Sequence, residues 1–308
     1  MRRKRFIVKV FFSLLLFFSV AILSGMLITG ATARNAAPLL EGLDDFRAFN
    51  IDASHLTGAD KWEEARYRRL ACSFLANGGR FGKEDRYCRT WDFYSLFLPK
   101  TVREEYQEAF ATALADGKYF PVPKDLSGNA VIRYEDSWGG ARSYGGKRRH
   151  EGTDLMPSVK ERGYFPVVSV SDGVVEKKGW LKLGGYRLGI RAPHGAYYYY
   201  AHLERYSESI EEGSKVKAGE IIGYMGDSGY GEPGTVGQFD VHLHFGIYLT
   251  IDGKETSINP YFILKSLEGR KTAFGGRETE YRVVKEQSSS VSVRRMEAVI
   301  CHDGESMI

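Results

Sequence analysis

The sequence predicts a mainly β domain of antiparallel sheets, folded as a sandwich or half-open barrel, with a small helical region before it and an apolar N-terminal transmembrane helix. Three observations carry this. Between Gly128 and Gly253 lie 23 of the 35 glycines and 12 of the 19 tyrosines, and apolar runs of four to ten residues alternate there with turn signals, the texture of closely spaced strands. Helical periodicity is confined to the residues before that stretch. Val10 to Thr29 is a run of 20 residues without a charge. A chain of 308 residues with 43% hydrophobic and 13% aromatic content fits about two packed domains and excludes disorder as the main state.

The N-terminal run comes first. At ~1.5 Å per residue a helix of that length spans about 30 Å, one hydrocarbon core. Arg2, Arg3, Lys4, Arg5 and Lys9 precede it, which places that end in the cytoplasm and the rest of the chain outside. Ala31-Thr32-Ala33 has the form of a signal-peptidase site, so secretion after cleavage near Ala33 is the alternative. Signal h-regions are shorter, roughly 7 to 15 residues, and a retained single-pass anchor is the expectation. The same five cations explain the net charge of +4, since the other basic side chains number 38 against 39 acidic ones. No basic face for nucleic acid is left over.

Residues 31 to 59 show no period and are expected to be a linker. Asp60 with Glu63 resembles a capping box opening a helix that carries Trp62, Leu70 and Phe74 and stops near Asn77-Gly78-Gly79. Thr101 with Glu104 opens a second, with Val102, Tyr106, Phe110, Ala113 and Leu114 on one stripe and Gly117 as its stop. Cys72 and Cys88 are 16 residues apart and pair as a disulfide outside the cytosol or pack as small apolar residues, leaving Cys301 over. The absence of Cys-x-x-Cys excludes a cysteine zinc ribbon. Strands are expected at Phe165 to Val170, Tyr186 to Ala192, Tyr197 to Ala201 and Val241 to Thr250. The organisation is then a basic tip and anchor (residues 1 to 30), a linker and helical region (31 to 125), a β domain (126 to 268) and a loosely ordered tail (269 to 308).

Three short elements in the β region carry candidate chemistry. In Val241-His242-Leu243-His244-Phe245, strand alternation puts His242 and His244 on one face and Leu243 and Phe245 in the core. His150 and Asp154 lie four residues apart around Gly152, in a tight loop or bulged strand; alone they fit a surface turn with a local hydrogen bond. His202 follows Tyr198-Tyr199-Tyr200-Ala201 at a strand end. Two imidazoles and a carboxylate make a three-ligand set with an open fourth position, the requirement of a catalytic zinc site. Spacing alone leaves open which of His242 and His244 takes the metal. Two other motifs fail on context. Gly226-Asp227-Ser228-Gly229 resembles a serine-protease nucleophile segment, but Ser228 follows His202 by only 26 residues. The Gly-x-Gly-x-x-Gly of residues 229 to 234 contains Pro233 and leads to a strand, not a helix.

In order and spacing, His150-x-x-x-Asp154, Ala201-His202-Leu203 and His242-Leu243-His244-Phe245 resemble the zinc metallo-endopeptidases of the lysostaphin/LytM type, which cleave peptides of bacterial cell walls. Val168 to Val175 and Gly213 to Gly223 are similar to that family's linking segments, and the likeness covers residues 130 to 265. It implies a LytM-like fold, zinc held by His150, Asp154 and His244, and a catalytic pair, His202 and His242. One imidazole would take a proton from water while the other stabilises the oxyanion. The implied partners are stem or cross-bridge peptides of peptidoglycan, with the membrane reached through the N-terminal helix; the partners of the helical region are unknown. The alternatives are a non-enzymatic scaffold or activator of other wall hydrolases on the same fold, and a carbohydrate-binding module using its tyrosines as platforms. Members of the scaffold kind have lost metal or catalytic residues, and all five are present here. His55, His194 and His302 match nothing and are expected at the surface. Trp138 and Arg142, within Tyr134 to Tyr144, are expected on the cleft wall, with Arg142 meeting substrate carboxylates.

Overall fold

The structure, a computed structural model of the chain, describes residues 2–34, 37–56, 64–82, 98–143, 146–275 and 284–285. Helix α1 spans Arg2–Arg34. Its segment Lys9–Leu27, 19 residues with mean hydropathy 2.4, has none of its length buried among the described residues. Among the described residues, the helices that follow before the strands are α2 (Leu43–Ala48), α3 (Ala53–Leu56), α4 (Glu64–Ala76) and α5 (Lys100–Leu114). The ring of Phe46 on α2 is their common centre, with Phe49, Phe74, Tyr106 and Phe110 packed around it at centroid distances of 5.1–6.3 Å.

The helical layer departs from the expectations in two ways. Residues 31 to 59 are not a linker throughout: α1 continues to Arg34, and Leu39, Phe46, Phe49, Ile51 and Leu56 are buried. Helices as short as α2 and α3, at six and four residues, cannot display a helical period. The Thr101–Glu104 box does not cap α5. Pro99 holds the N-cap position, with φ −53 and ψ 134 and no side-chain cap hydrogen bond, while the expected stripe Val102, Tyr106, Phe110, Ala113 and Leu114 is buried as a set. Trp62 and the Asp60–Glu63 box lie outside the described residues, as do Cys88, Cys301 and His302; Cys72 is buried on α4.

The strands in chain order are β1 (Lys124–Asp125), β2 (Ile132–Arg133), β3 (Ala141–Arg142), β4 (Arg148–Arg149), β5 (Thr153–Pro157), β6 (Pro166–Val168), β7 (Gly173–Leu181), β8 (Gly185–Arg191), β9 (Tyr197–Tyr206), β10 (Lys215–Val216), β11 (Ile221–Met225), β12 (Leu243–Ile251), β13 (Lys254–Ile258), β14 (Thr272–Phe274) and β15 (Val284–Lys285). The main sheet is antiparallel and runs β10-β7-β8-β9-β12-β5-β2, with β13 beside β12 and with β11 joining β9 to β6. A short helix, α6 (Tyr261–Leu267), closes one end with Ile263, Leu264 and Leu267 buried. The fold class is as the sequence predicts.

Strand β9 exchanges partners part-way along. Its first half pairs with β12 as far as Ala201 opposite His244, and its second half pairs with β11 from Leu203 opposite Met225. The register against β8 slips at the same point, because Tyr186 faces Leu203 while Leu188 faces Tyr200. The extra residue is a bulge, the usual device by which a strand turns from one sheet to another. β12 and β11 diverge there, touching again through the bridge of His242 with Gly226.

One hydrophobic cluster joins Phe46 and Phe110 of the helices to Tyr198, Tyr200 and Phe245 of the sheet. Residues 269 to 275 belong to it in part, contrary to the expectation of a tail: β14 lies parallel to β1, and Thr272, Ala273 and Phe274 are buried. A three-residue strand is too short for alternation to show in sequence.

Candidate metal centre

The site forms where β9 changes partner. His244 is the second residue of β12 and pairs across to Asp154 on β5, with Ala201 of β9 on its other side. His150 immediately follows β4 and is 2% exposed. Leu243 and Phe245 are fully buried, so the pleat sends His244 to the opposite, open face. Gly152 makes room for the ring: a Cβ there would lie 2.6 Å from the Phe245 carbonyl oxygen and 2.7 Å from His244 Cε1 and Nε2.

Three ligand atoms converge. His150 Nε2 is 3.0 Å from Asp154 Oδ1 and 3.0 Å from His244 Nδ1, and the latter two are 3.1 Å apart. His150 Nδ1 lies 3.0 Å from the Ser137 carbonyl oxygen, which can only accept, so Nδ1 carries the proton and Nε2 turns a lone pair toward the carboxylate. A lone pair facing a carboxylate oxygen at that distance is stabilised by a cation between them. Tetrahedral bonds of about 2.0–2.1 Å to zinc place neighbouring ligand atoms about 3.3 Å apart, close to the triangle observed. The donor set fits such an ion.

Burial opposes charge on Asp154, but the surrounding imidazoles, His150 and His244 foremost, outweigh that and hold the carboxyl well below the usual carboxylate range. Burial pushes His202 well below the ordinary imidazole value and lowers His244 in the same direction. Both shifts favour the neutral ring.

His202 and His242 stand beside this triangle with ring centroids 4.7 Å apart, and His202 is 5.9 Å from His244. His202 is the bulge residue of β9, at φ +62, a conformation a β-carbon disfavours. His202 Nδ1–H donates to the Ser228 carbonyl (2.8 Å) and His242 Nδ1–H to the Asp240 carbonyl (2.7 Å). Each ring thus leaves Nε2 as its free atom, and His242 Nε2 is 3.7 Å from Asp154 Oδ1. Sequence reasoning missed the wall over this pair: Phe239 lies 4.5 Å from His202 and 5.2 Å from His242, with Tyr230 packed on Phe239 at 4.8 Å. The signal available for Phe239 was its position three residues before His242. Arg148 Nη2 donates to the Tyr230 hydroxyl at 3.2 Å, joining the two rims.

Arg142, expected to meet substrate, is engaged with the site's own carboxylate. Its Nη2 donates to Asp154 Oδ2 at 2.7 Å, because the β3–β4 hairpin brings it over the carboxylate. Trp138 borders a cavity of about 250 Å³ behind His150 and carries the Arg47 guanidinium 5.4 Å above its ring. His55 stacks on Phe81 at 3.8 Å, and His194 joins the helical layer to the sheet through Asp116 at 2.9 Å. The serine-protease reading of residues 226 to 229 is closed, since Ser228 is fully buried with its hydroxyl bonded to Leu203 O.

Comparison with known proteins adds to this geometry. Residues 148 to 260 match the family described as Peptidase family M23. The L-Ala--D-Glu endopeptidase of Bacillus subtilis (strain 168) is 45% identical over 183 residues, 58% of this chain and 53% of that protein. The glycyl-glycine endopeptidase ALE-1 of Staphylococcus capitis is 32% identical over 119 residues, 38% of this chain and 29% of that one. The chain thus spans about half the length of the first of these relatives and less of the second. A solved structure, a lytM protein of Ruminococcus gnavus ATCC 29149 provisionally described as a glycyl-glycine endopeptidase, superposes with a TM-score of 0.64 at 43% identity, over 74% of this chain and 91% of that one.

Proposed function

Because the chain belongs to peptidase family M23, we propose that it is a zinc-dependent endopeptidase that hydrolyses peptide bonds of bacterial peptidoglycan outside the cytoplasm, held to the membrane by α1. The observation that carries the proposal is the triangle of His150 Nε2, Asp154 Oδ1 and His244 Nδ1, at 3.0, 3.0 and 3.1 Å, with two carbonyl-anchored imidazoles beside it. The same completeness argues against a non-enzymatic scaffold.

Two imidazoles and one carboxylate suit zinc by ligand type and number. When bound, zinc supplies Lewis acidity toward a water molecule and the scissile carbonyl. His150, Asp154 and His244 would hold it. Asp154 is oriented by Arg142, and His150 by the Ser137 carbonyl. His202 and His242, each with Nδ1–H committed to a carbonyl, present Nε2: unprotonated it accepts the proton of the attacking water, and protonated it donates to the oxyanion or to the departing amine. Phe239 and Tyr230 keep bulk water off this pair.

The first candidate bond is that between L-Ala and D-Glu of the stem peptide, on the similarity to the Bacillus subtilis enzyme; glycyl-glycine bonds are the second, on the names of ALE-1 and the Ruminococcus gnavus protein. The test is digestion of purified peptidoglycan by the full chain, chelator-stripped and then zinc-restored, with mass analysis of the fragments. Fragments with a new D-Glu amino terminus, formed only in the restored sample, support the first bond, and cleavage within glycine bridges supports the second. A zinc-loaded protein that cuts no peptide bond of the wall is not a peptidoglycan endopeptidase.

A further inference from the structure

We propose that Ser228 is a positioning residue for His202: its side chain and its carbonyl together lock the bulge of β9 and fix which ring nitrogen faces the substrate. The inference rests on the proposed role of His202 in catalysis.

Ser228 is fully buried. Its hydroxyl donates to the carbonyl of Leu203 at 2.6 Å and accepts the backbone N–H of Tyr186 at 3.0 Å, and its own carbonyl accepts His202 Nδ1–H at 2.8 Å. One residue therefore ties β8, β9 and the loop after β11. Both ties of the hydroxyl fall on the facing pair Tyr186 and Leu203, immediately beside the register slip. The backbone N–H of His202 donates to Gly184 O at 2.8 Å, so the disfavoured φ of His202 is held at its nitrogen, at its ring and at the following carbonyl. Gly185, at φ +62, takes part by lacking a side chain, because a Cβ there would run into the carbonyl and hydroxyl of Ser228.

The consequence is chemical as well as mechanical. A carbonyl accepts only, so the Ser228 peptide selects the Nδ1–H tautomer and leaves Nε2 toward the cleft. Without the hydroxyl, the Tyr186 N–H and the Leu203 carbonyl lose this partner, and the peptide carrying the Ser228 carbonyl keeps only the Gly229 N–H to Thr235 O bond, at 2.9 Å, to hold it against His202. His202 would lose its orienting group while the three metal ligands, on β4–β5 and β12, would keep theirs.

The experiment uses the full chain in detergent, as wild type, Ser228→Ala, Ser228→Thr and His202→Ala, all zinc-restored, assayed on an L-Ala–γ-D-Glu stem peptide and on whole peptidoglycan. For Ser228→Ala the expectation is a fall in kcat of about 10- to 100-fold, with KM within about twofold and zinc content unchanged. Ser228→Thr, which retains the hydroxyl, should recover most of the loss. Nitrogen-resolved NMR of the metal-free wild type, independent of activity, should show a protected proton on His202 Nδ1, lost in Ser228→Ala. A folded Ser228→Ala with normal kcat, a loss of zinc in proportion to activity, or a Thr variant as impaired as Ala overturns the inference. Should Ser228→Ala fail to fold, absence of the protected proton in the wild type overturns it and its presence supports it. His202→Ala separates the two levels: if that variant stays active, the catalytic reading of His202 fails, and the NMR result still decides whether Ser228 holds the ring.

Discussion

His242 and His244 share a face but not an environment, and their substitutions should separate accordingly. His244 Nδ1 is within 3.1 Å of the Asp154 oxygen, whereas His242 Nε2 stands off at 3.7 Å. His244→Ala should lose zinc and activity together, while His242→Ala should keep zinc and lose turnover; metal analysis beside kcat checks this, and equal zinc loss in both contradicts the assignment. Arg142 lies one shell further out. Removing its hydrogen bond to Asp154 in Arg142→Ala should weaken zinc binding roughly 10- to 100-fold, measured by competition with a chelator. A change confined to KM would return Arg142 to the substrate-facing role expected from the sequence. That five residues belong to one site was legible because histidine and aspartate are chemically marked and their order is distinctive. The carbonyls of Ser137, Ser228 and Asp240 that orient them were not, since every residue carries one. Arg142 was legible as a cation beside the site, but not as a partner of Asp154, because the hairpin that folds it back has strands of only two residues.

Strand β9 shows what periodicity can and cannot reveal about an element. Tyr198 and Tyr200 are fully buried while Tyr197 and Tyr199 are partly exposed, an alternation the four consecutive tyrosines conceal because both faces carry the same residue. The bulge at His202 breaks the alternation, and no local feature of Ala201-His202-Leu203 announces a positive φ. Among the helices the long stripe of α5 was legible and its start was not, since Pro99 and not Thr101 sets it. The aromatic cluster below that stripe makes a measurable prediction. The ring of Phe110 is fully buried and lies 5.1–5.6 Å from Phe46, Phe49 and Phe74. Phe110→Ala should cost about 3–5 kcal/mol of stability, read as a shift in the denaturation midpoint of a protein lacking α1. A cost under about 1 kcal/mol would mean the layer collapses around the gap.

At the scale of the whole molecule, the hydrophobic core crosses residue 125, and this bears on how far the site can travel. Phe46 and Phe110 belong to the same cluster as Phe245, while Arg47 bonds Ser257 and Asp116 bonds His194 across the two layers. The sequence alone suggested some 100 residues of spacer between anchor and catalytic domain. With Leu39 already buried in the body, only residues 35 to 38 separate it from the end of α1, a reach of about 14 Å at full extension. If α1 spans the membrane, the site is confined to wall lying close against the bilayer. The full chain should therefore sediment with membranes and resist extraction by alkaline carbonate, and it should digest added peptidoglycan fragments but leave intact outer wall layers untouched. A protein beginning at residue 37 should be soluble and attack whole sacculi from either side. Inserting a flexible linker of about 30 residues after Arg34 should widen the digested zone without changing kcat on a soluble stem peptide, because such a coil adds about 30 Å of root-mean-square reach. Sequencing the mature N-terminus decides the premise: a chain that starts at Arg34 has been cut free, and its range is then set by diffusion and not by the anchor.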